Sequence, residues 1–130
     1  MHVPLLIDDF LRRATQVYPT KCAVVDGEVR LTYAELTLRV NRLSNALLGL
    51  GVERGDRVCI LSPNSHFFLE SFYAVSQIGA ILVPLNYRLA GLEHQYILGH
   101  AGVTVMMVDQ EYTAVVDAVR DGLSKVRHFI

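Results

Sequence analysis

Arg88, in Asn86-Tyr87-Arg88-Leu89, has the side chain best suited to grip an anion, because it follows an apolar run closed by Pro84. A planar, permanently charged guanidinium fits a phosphate, although a loop arginine can equally be solvated or salt-bridged. The loop Ser62-Pro63-Asn64-Ser65 lies between a predicted strand and a predicted helix. Open α/β sheets place ligands at such positions, and helix-start amides there can hold a phosphate; the plainer reading is that Asn64 or Ser65 caps the helix. The run Gly49-Leu50-Gly51-Val52-Glu53-Arg54-Gly55 resembles a dinucleotide loop only superficially. Its last glycine spacing is one residue too long and it joins a helix to a strand, so it reads as a glycine-rich helix ending. His2, His66, His94, His100 and His128 include no pair at the helical spacing that grips zinc. Ser65 beside His66 makes no nucleophile pair by adjacency, and no G-x-S-x-G elbow exists. No metal site and no catalytic residue is expected. Cys22 and Cys59 lie in apolar strand-like segments without a CxxC spacing and read as buried free thiols.

The elements that position these residues follow from periodicity. Leu6, Phe10 and Val17 fall near one face of a first helix running from Leu5 to Val17, with Arg12 and Arg13 opposite and Pro19 as the stop. Cys22 to Val25 and Val29 to Leu31 read as a β-hairpin turning at Asp26-Gly27. Thr32 and Glu35 have the spacing of a capping box. The helix they open carries a core stripe at Leu36, Val40, Leu43, Leu47 and Leu50.

Strand and helix then alternate. Strands are expected at Arg57 to Leu61, Ala80 to Val83 and Val103 to Val108, with a last one beginning at Val126. Helices are expected at about Ser65 to Ile78, Leu92 to His100 and Glu111 to Asp121. Crossovers of this length imply parallel strands and right-handed connections. The fold class is therefore α/β, a mainly parallel sheet flanked by helices and preceded by a helix and a hairpin. The 130 residues read as a single α/β unit.

Twelve basic and thirteen acidic residues leave a formal charge of -1, which argues against a general nucleic-acid or anionic-membrane surface. The longest uncharged stretch, Ser71 to Tyr87, carries Ser76, Gln77, Gly79, Pro84 and Asn86, so no membrane-spanning helix is expected. The start, Met1-His2-Val3-Pro4-Leu5-Leu6-Ile7-Asp8-Asp9, lacks a basic region and a signal-length apolar run, so the protein is read as cytoplasmic.

Three blocks, Leu31-Thr32-Tyr33-Ala34-Glu35-Leu36, Gly55-Asp56-Arg57-Val58-Cys59-Ile60-Leu61-Ser62-Pro63-Asn64-Ser65 and Ser76-Gln77-Ile78-Gly79-Ala80-Ile81-Leu82-Val83-Pro84-Leu85-Asn86, share their order and spacing with the opening of the adenylate-forming superfamily. The whole chain resembles roughly the first quarter of a typical member, part of the large N-terminal domain. The resemblance implies a parent that activates a carboxylate with Mg-ATP to an acyl-adenylate and passes the acyl group to a thiol. Asn86, where peptide-synthetase adenylation domains more often carry aspartate, is more similar to acyl- and aryl-CoA ligases. In such ligases an arginine two residues after this asparagine approaches the nucleotide phosphate of CoA, which implies that role for Arg88. The superfamily's Ser/Thr/Gly-rich phosphate loop ending in lysine, its ribose-binding carboxylate and its C-terminal-domain lysine have no counterpart in this sequence. The chain alone is therefore expected to be inactive and to bind no cofactor, its partners being the remainder of the parent enzyme, a small carboxylic acid and CoA.

Two other readings compete. One is a fragment of a peptide-synthetase adenylation domain. The other is a non-catalytic α/β interaction module of receiver or flavodoxin type, with Asp109 as phosphoacceptor and Lys125 as its partner; against it, the strand from Val58 ends in Ser62-Pro63, where a receiver needs acidic Mg ligands.

Overall fold

A computed structural model describes residues 6–130. Its order is α1 (Ile7–Val17), β1 (Cys22–Asp26), β2 (Val29–Thr32), α2 (Tyr33–Gly49), β3 (Arg57–Leu61), α3 (His66–Gln77), β4 (Ile81–Pro84), α4 (Gly91–Ala101), β5 (Val103–Val108), α5 (Thr113–Asp117) and β6 (His128–Phe129). Strands β1 and β2 form an antiparallel hairpin, while the other four make a parallel sheet in the order β4-β3-β5-β6. The α/β class, with a parallel sheet flanked by helices behind a helix and a hairpin, is what the residues predict.

The sheet is parallel because Val58-Cys59-Ile60-Leu61 and most of β5 are apolar on both sides, a pattern that is stable only when helices cover both faces. Val58, Ile60, Val105 and Met107 meet Leu47 of α2 and Val75 of α3 on one face. Cys59, Leu61 and Met106 meet Leu98 of α4 and Val116 of α5 on the other. An irregularity in register between Arg57 and Val58 lets Val103 and Val105, two residues apart, face opposite sides.

Helix α2 begins as its capping box requires. The Thr32 hydroxyl accepts from the Glu35 amide at 3.2 Å, and Glu35 accepts from the Thr32 amide at 2.8 Å. Leu36, Val40 and Leu47 of its stripe are buried, with Leu43 and Leu50 packed at the margin. Gly102, at φ 67°, ends α4 in the left-handed conformation. There the Arg57 guanidinium lies where a β-carbon would stand and donates to the carbonyl of Ala101 at 2.9 Å, a cation on the negative end of the helix.

Four local expectations are corrected. The expected apolar face of α1 is exposed at Leu6, Phe10 and Val17 (48%, 58% and 54%), whereas Leu11 is buried against Leu36, Val40 and Ala74. The helix docks through a narrow seam of Leu11 and Thr15, whose hydroxyl lies 2.7 Å from that of Thr37, so the largest apolar residues do not mark its inner face. The expected start at Leu5 lies outside the described residues. The hairpin turns one residue later than expected: Asp26 pairs with Val29, and Gly27 at φ 55° is the first residue of the turn, leaving Asp26 at a strand end.

Cys22 is exposed rather than buried, because it opens an irregular strand of a two-stranded hairpin; only Cys59 is buried, and burial pushes its thiol well above the ordinary range. The expected helix from Glu111 to Asp121 is broken into a 3-10 turn at Gln110–Tyr112, the short α5 and a second 3-10 turn at Arg120–Gly122. Its β-branched residues, Thr113, Val115, Val116 and Val119, favour helix weakly, and the i to i+3 bonds of Val119 and Gly122 tighten the chain instead.

Candidate functional site

The carboxyl ends of β3, β4 and β5 lie along one edge of the sheet and lead into Ser62, Leu85-Asn86 and Asp109. The chain leaves β3 toward β4 on one side and leaves β5 toward β6 on the other. Their adjacent carboxyl ends are therefore a topological switch point, where open α/β sheets form a crevice. A cavity of about 580 Å³ opens there, lined among others by Ile60, Ser62, Phe67, Glu70, Met107 and Asp109.

Ser62, Asp109 and Glu70 in this crevice are each engaged with neighbouring groups of the chain. The Ser62 hydroxyl donates to the carbonyl of Pro63 at 3.0 Å and lies 3.4 Å from an Asp109 carboxylate oxygen. Asp109 also accepts from the Glu111 amide at 3.1 Å, starting the 3-10 turn. Glu70 is buried and accepts from Arg39 Nε at 2.5 Å; the same guanidinium lies 5.6 Å from the centre of the Phe67 ring. Removing one partner of such a pair leaves a buried charge uncompensated, so the pair locks α2 to α3.

The loop Ser62-Pro63-Asn64-Ser65 does what its plainer reading predicts, since the Ser65 hydroxyl caps α3 by accepting from the Phe68 amide at 3.3 Å. An anion is already present at that helix start, and it belongs to the chain. Asp26, at the end of β1, accepts from the His66 amide at 2.9 Å and lies 2.6 Å from His66 Nδ1. With the His66 and Phe68 amides engaged, the α3 terminus does not offer a phosphate the cradle the sequence allowed.

The side-chain hydrogen bond from His66, reinforced by its backbone amide, holds the Asp26 carboxyl below the usual aspartate range. A depressed native pKa gives a contribution to stability that is present above the unfolded pKa, near 4, and is lost as pH falls through the native value. Asp26→Asn is therefore expected to flatten the acid side of the stability profile. Urea midpoints measured from pH 6 down to pH 2.5 check this: wild type should lose more of its midpoint below pH 4 than the variant, and parallel curves would contradict it.

Arg88 stands apart from the crevice, in the loop after β4 on the far side of β3. Leu85 roots this loop by donating its amide to the carbonyl of Ile60 at 2.9 Å. The Asn86 side-chain oxygen then accepts from the Arg88 amide at 3.0 Å, which shapes the turn. The Arg88 guanidinium is exposed, lies 5.6 Å from the centre of the Tyr87 ring and pairs with no carboxylate among the described residues. The turn is held at the Arg88 backbone, and the side chain it carries is an uncommitted cation at a strand end.

Asp109 and Lys125 are not brought together. Lys125 donates to the carbonyl of Gly99 at 3.3 Å near the end of α4, at the amino edge of the sheet, whereas Asp109 follows the carboxyl end of β5. The phosphoacceptor arrangement of a receiver is thereby excluded. Among the described residues no three His, Cys, Asp or Glu side chains converge on a metal-sized site. No helix among them is long and apolar enough to cross a membrane.

Sequence reasoning missed Asp26–His66, Arg39–Glu70 and Ser62–Asp109, pairs made across 40, 31 and 47 positions. Glu70 alone carried a signal: it sits one helical turn before the buried Ala74, where a carboxylate demands a partner.

The chain is 42% identical over 110 residues to a feruloyl-CoA synthase from Amycolatopsis, covering 85% of this chain and 22% of that protein. It is 42% identical over 126 residues to a long-chain-fatty-acid–CoA ligase from Thermus thermophilus, covering 94% of this chain and 23% of the relative. The chain thus spans less than a quarter of the length of these two relatives. Among solved structures, a Mycobacterium tuberculosis fatty acyl CoA synthetase superposes with a TM-score of 0.92 at 37% identity, covering 96% of this chain and 26% of the other. The family model for the AMP-binding enzyme matches residues 11–129, which include the whole parallel sheet and the loop that carries Arg88. By that match and these likenesses, the chain belongs to the AMP-binding enzyme family.

Proposed function

We propose that residues 1–130 form one α/β unit, the amino-terminal piece of an AMP-forming acid–thiol ligase that makes CoA thioesters. In such an enzyme a fatty or aryl carboxylate displaces pyrophosphate from Mg-ATP to give an acyl-adenylate. The CoA thiol then attacks the acyl carbonyl and AMP leaves. The loop after β4 serves the second step. Its exposed arginine, whose backbone amide donates to the Asn86 side chain and whose guanidinium is free of any carboxylate partner among the described residues, is the observation that carries this reading. A planar cation on a short, fixed turn suits a phosphate of CoA.

The residues present do not fit ATP. The sequence has no Ser/Thr/Gly-rich loop ending in lysine, and the start of α3 is taken by Asp26. The adenylate step accordingly belongs to the remainder of the enzyme, which is this chain's principal partner, and no nucleic acid is involved. This piece alone holds no cofactor, and the enzyme works in the cytoplasm.

The test is Arg88→Ala in the enzyme that carries this chain. A charge-assisted phosphate contact is worth about 1.5 to 3 kcal/mol, so the KM for CoA is expected to rise about 10- to 100-fold. Acid-dependent ATP–pyrophosphate exchange, run without CoA, should stay nearly unchanged. Equal losses in both half-reactions would make Arg88 a structural residue, and an unchanged KM for CoA would return it to the solvated surface.

A further inference from the structure

We propose that His94 is a positioning residue that holds the Asn86-Tyr87-Arg88 turn in the shape that presents Arg88; its functional half rests on the reading of Arg88 as a CoA contact. His94 lies on α4 and is 1% exposed. Its Nε2 is 3.0 Å from the carbonyl oxygen of Asn86. A carbonyl oxygen only accepts, so Nε2 is the donor in this bond. Nδ1 is buried with no partner among the described residues.

A histidine here is a poor choice for packing alone. A leucine would fill the space without leaving a ring nitrogen buried and unsatisfied. What the ring supplies in return is the bond to Asn86, and Asn86 is the hub of the turn. Its carbonyl also accepts from the Leu89 amide at 3.2 Å, and its side-chain oxygen accepts from the Arg88 amide. Glu93, next to His94, closes the other end by accepting from the Ala90 amide at 2.8 Å. From Leu85, rooted on β3, to the buried His94 on α4, the loop is therefore tied at both ends and at its middle. Among the described residues His94 is the buried side chain tied to the hub, and being buried it acts on CoA through Arg88 and not by touching CoA.

The experiment compares His94→Leu, which fills the space without a donor, with His94→Gln, whose amide nitrogen can replace Nε2. Hydrogen exchange at the Arg88 and Leu89 amides of the 130-residue chain reads the turn directly. It should quicken about three- to tenfold in His94→Leu, the worth of one neutral hydrogen bond, and stay within about twofold in His94→Gln. In the enzyme that carries the chain, the KM for CoA should rise by the same factor in His94→Leu, with kcat and CoA-free exchange unmoved and with rescue by His94→Gln. In an Arg88→Ala background, His94→Leu should add nothing further. Unchanged amide exchange would overturn the role of His94 whatever Arg88 does. Quickened amide exchange with an unchanged KM in both His94→Leu and Arg88→Ala would keep the tie and overturn the reading of Arg88. Equal rises in KM for the leucine and glutamine variants would reduce His94 to packing. Should His94→Leu not fold, His94→Met, also without a donor, takes its place.

Discussion

Purified free of any longer ligase, the 130-residue chain is expected to release no pyrophosphate when given Mg-ATP with a fatty or an aryl acid. Forming an acyl-adenylate requires the carboxylate oxygen to be held in line with the α-phosphate while the charge on the departing pyrophosphate is offset. The sequence has no Ser/Thr/Gly-rich loop ending in lysine to do this. Ser62, Asp109 and Asp26 at strand ends and Glu70 on α3 are all engaged with neighbouring groups of the chain. Arg88 alone cannot supply the missing geometry. Since positioning contributes effective molarities on the order of 10⁵ M or more, the isolated chain should fall on the order of 10⁵-fold or further below a complete ligase. Acid-dependent pyrophosphate release above the background without acid, from the pure chain, would contradict this.

The second large effect concerns stability. Leu47 and Leu48 are neighbours in α2, yet Leu47 is fully buried between the helix pair and the sheet while Leu48 is 50% exposed. Leu47→Ala removes apolar contact with the cluster containing Val58, Val75 and Val105 and leaves a cavity. The expected cost is about 2 to 5 kcal/mol, a large share of the roughly 5 to 15 kcal/mol that stabilises a domain. Leu48→Ala should cost no more than about 0.5 to 1 kcal/mol. Urea denaturation of the two variants beside wild type checks the register of α2 against the sheet. Equal losses would mean that α2 does not present the stripe of Leu36, Val40 and Leu47 to the core.

That stripe was legible because three independent signals agree there: the Thr32–Glu35 capping box, the apolar spacing and the Gly49–Gly51 ending. Strands β3 and β5 were legible for a similar reason, being mainly apolar, β-branched-rich runs with turn residues beside them. Where one signal stood alone, it failed. The apolar pattern of α1 follows Phe10 and Val17, but docking is decided by Leu11 and the Thr15–Thr37 contact, and the partner helix is not visible in a local window. The region after Asp109 has helical apolar spacing, yet its β-branched residues and short i to i+3 bonds break the helix.

The same distinction applies to the strand ends. That Arg88 stands at a strand end could be read from the preceding apolar run and Pro84, because both are local features. That Asp26 occupies the start of α3 could not, since it needs the hairpin folded against a helix 40 positions later. His94 was legible only as a residue without a metal-binding partner. Its bond to Asn86 depends on how α4 returns over the loop, which no periodicity reports.

Whether this chain is the amino-terminal piece of a ligase that makes CoA thioesters is tested most directly on the whole natural reading frame in which it is encoded. That product is expressed and both half-reactions are followed with fatty and aryl acids. Acid-dependent ATP–pyrophosphate exchange is expected without CoA, followed by formation of the acyl-CoA thioester when CoA is added. Exchange followed by transfer only to a carrier-protein thiol, or no acid-dependent exchange with any acid of either class, would contradict that assignment.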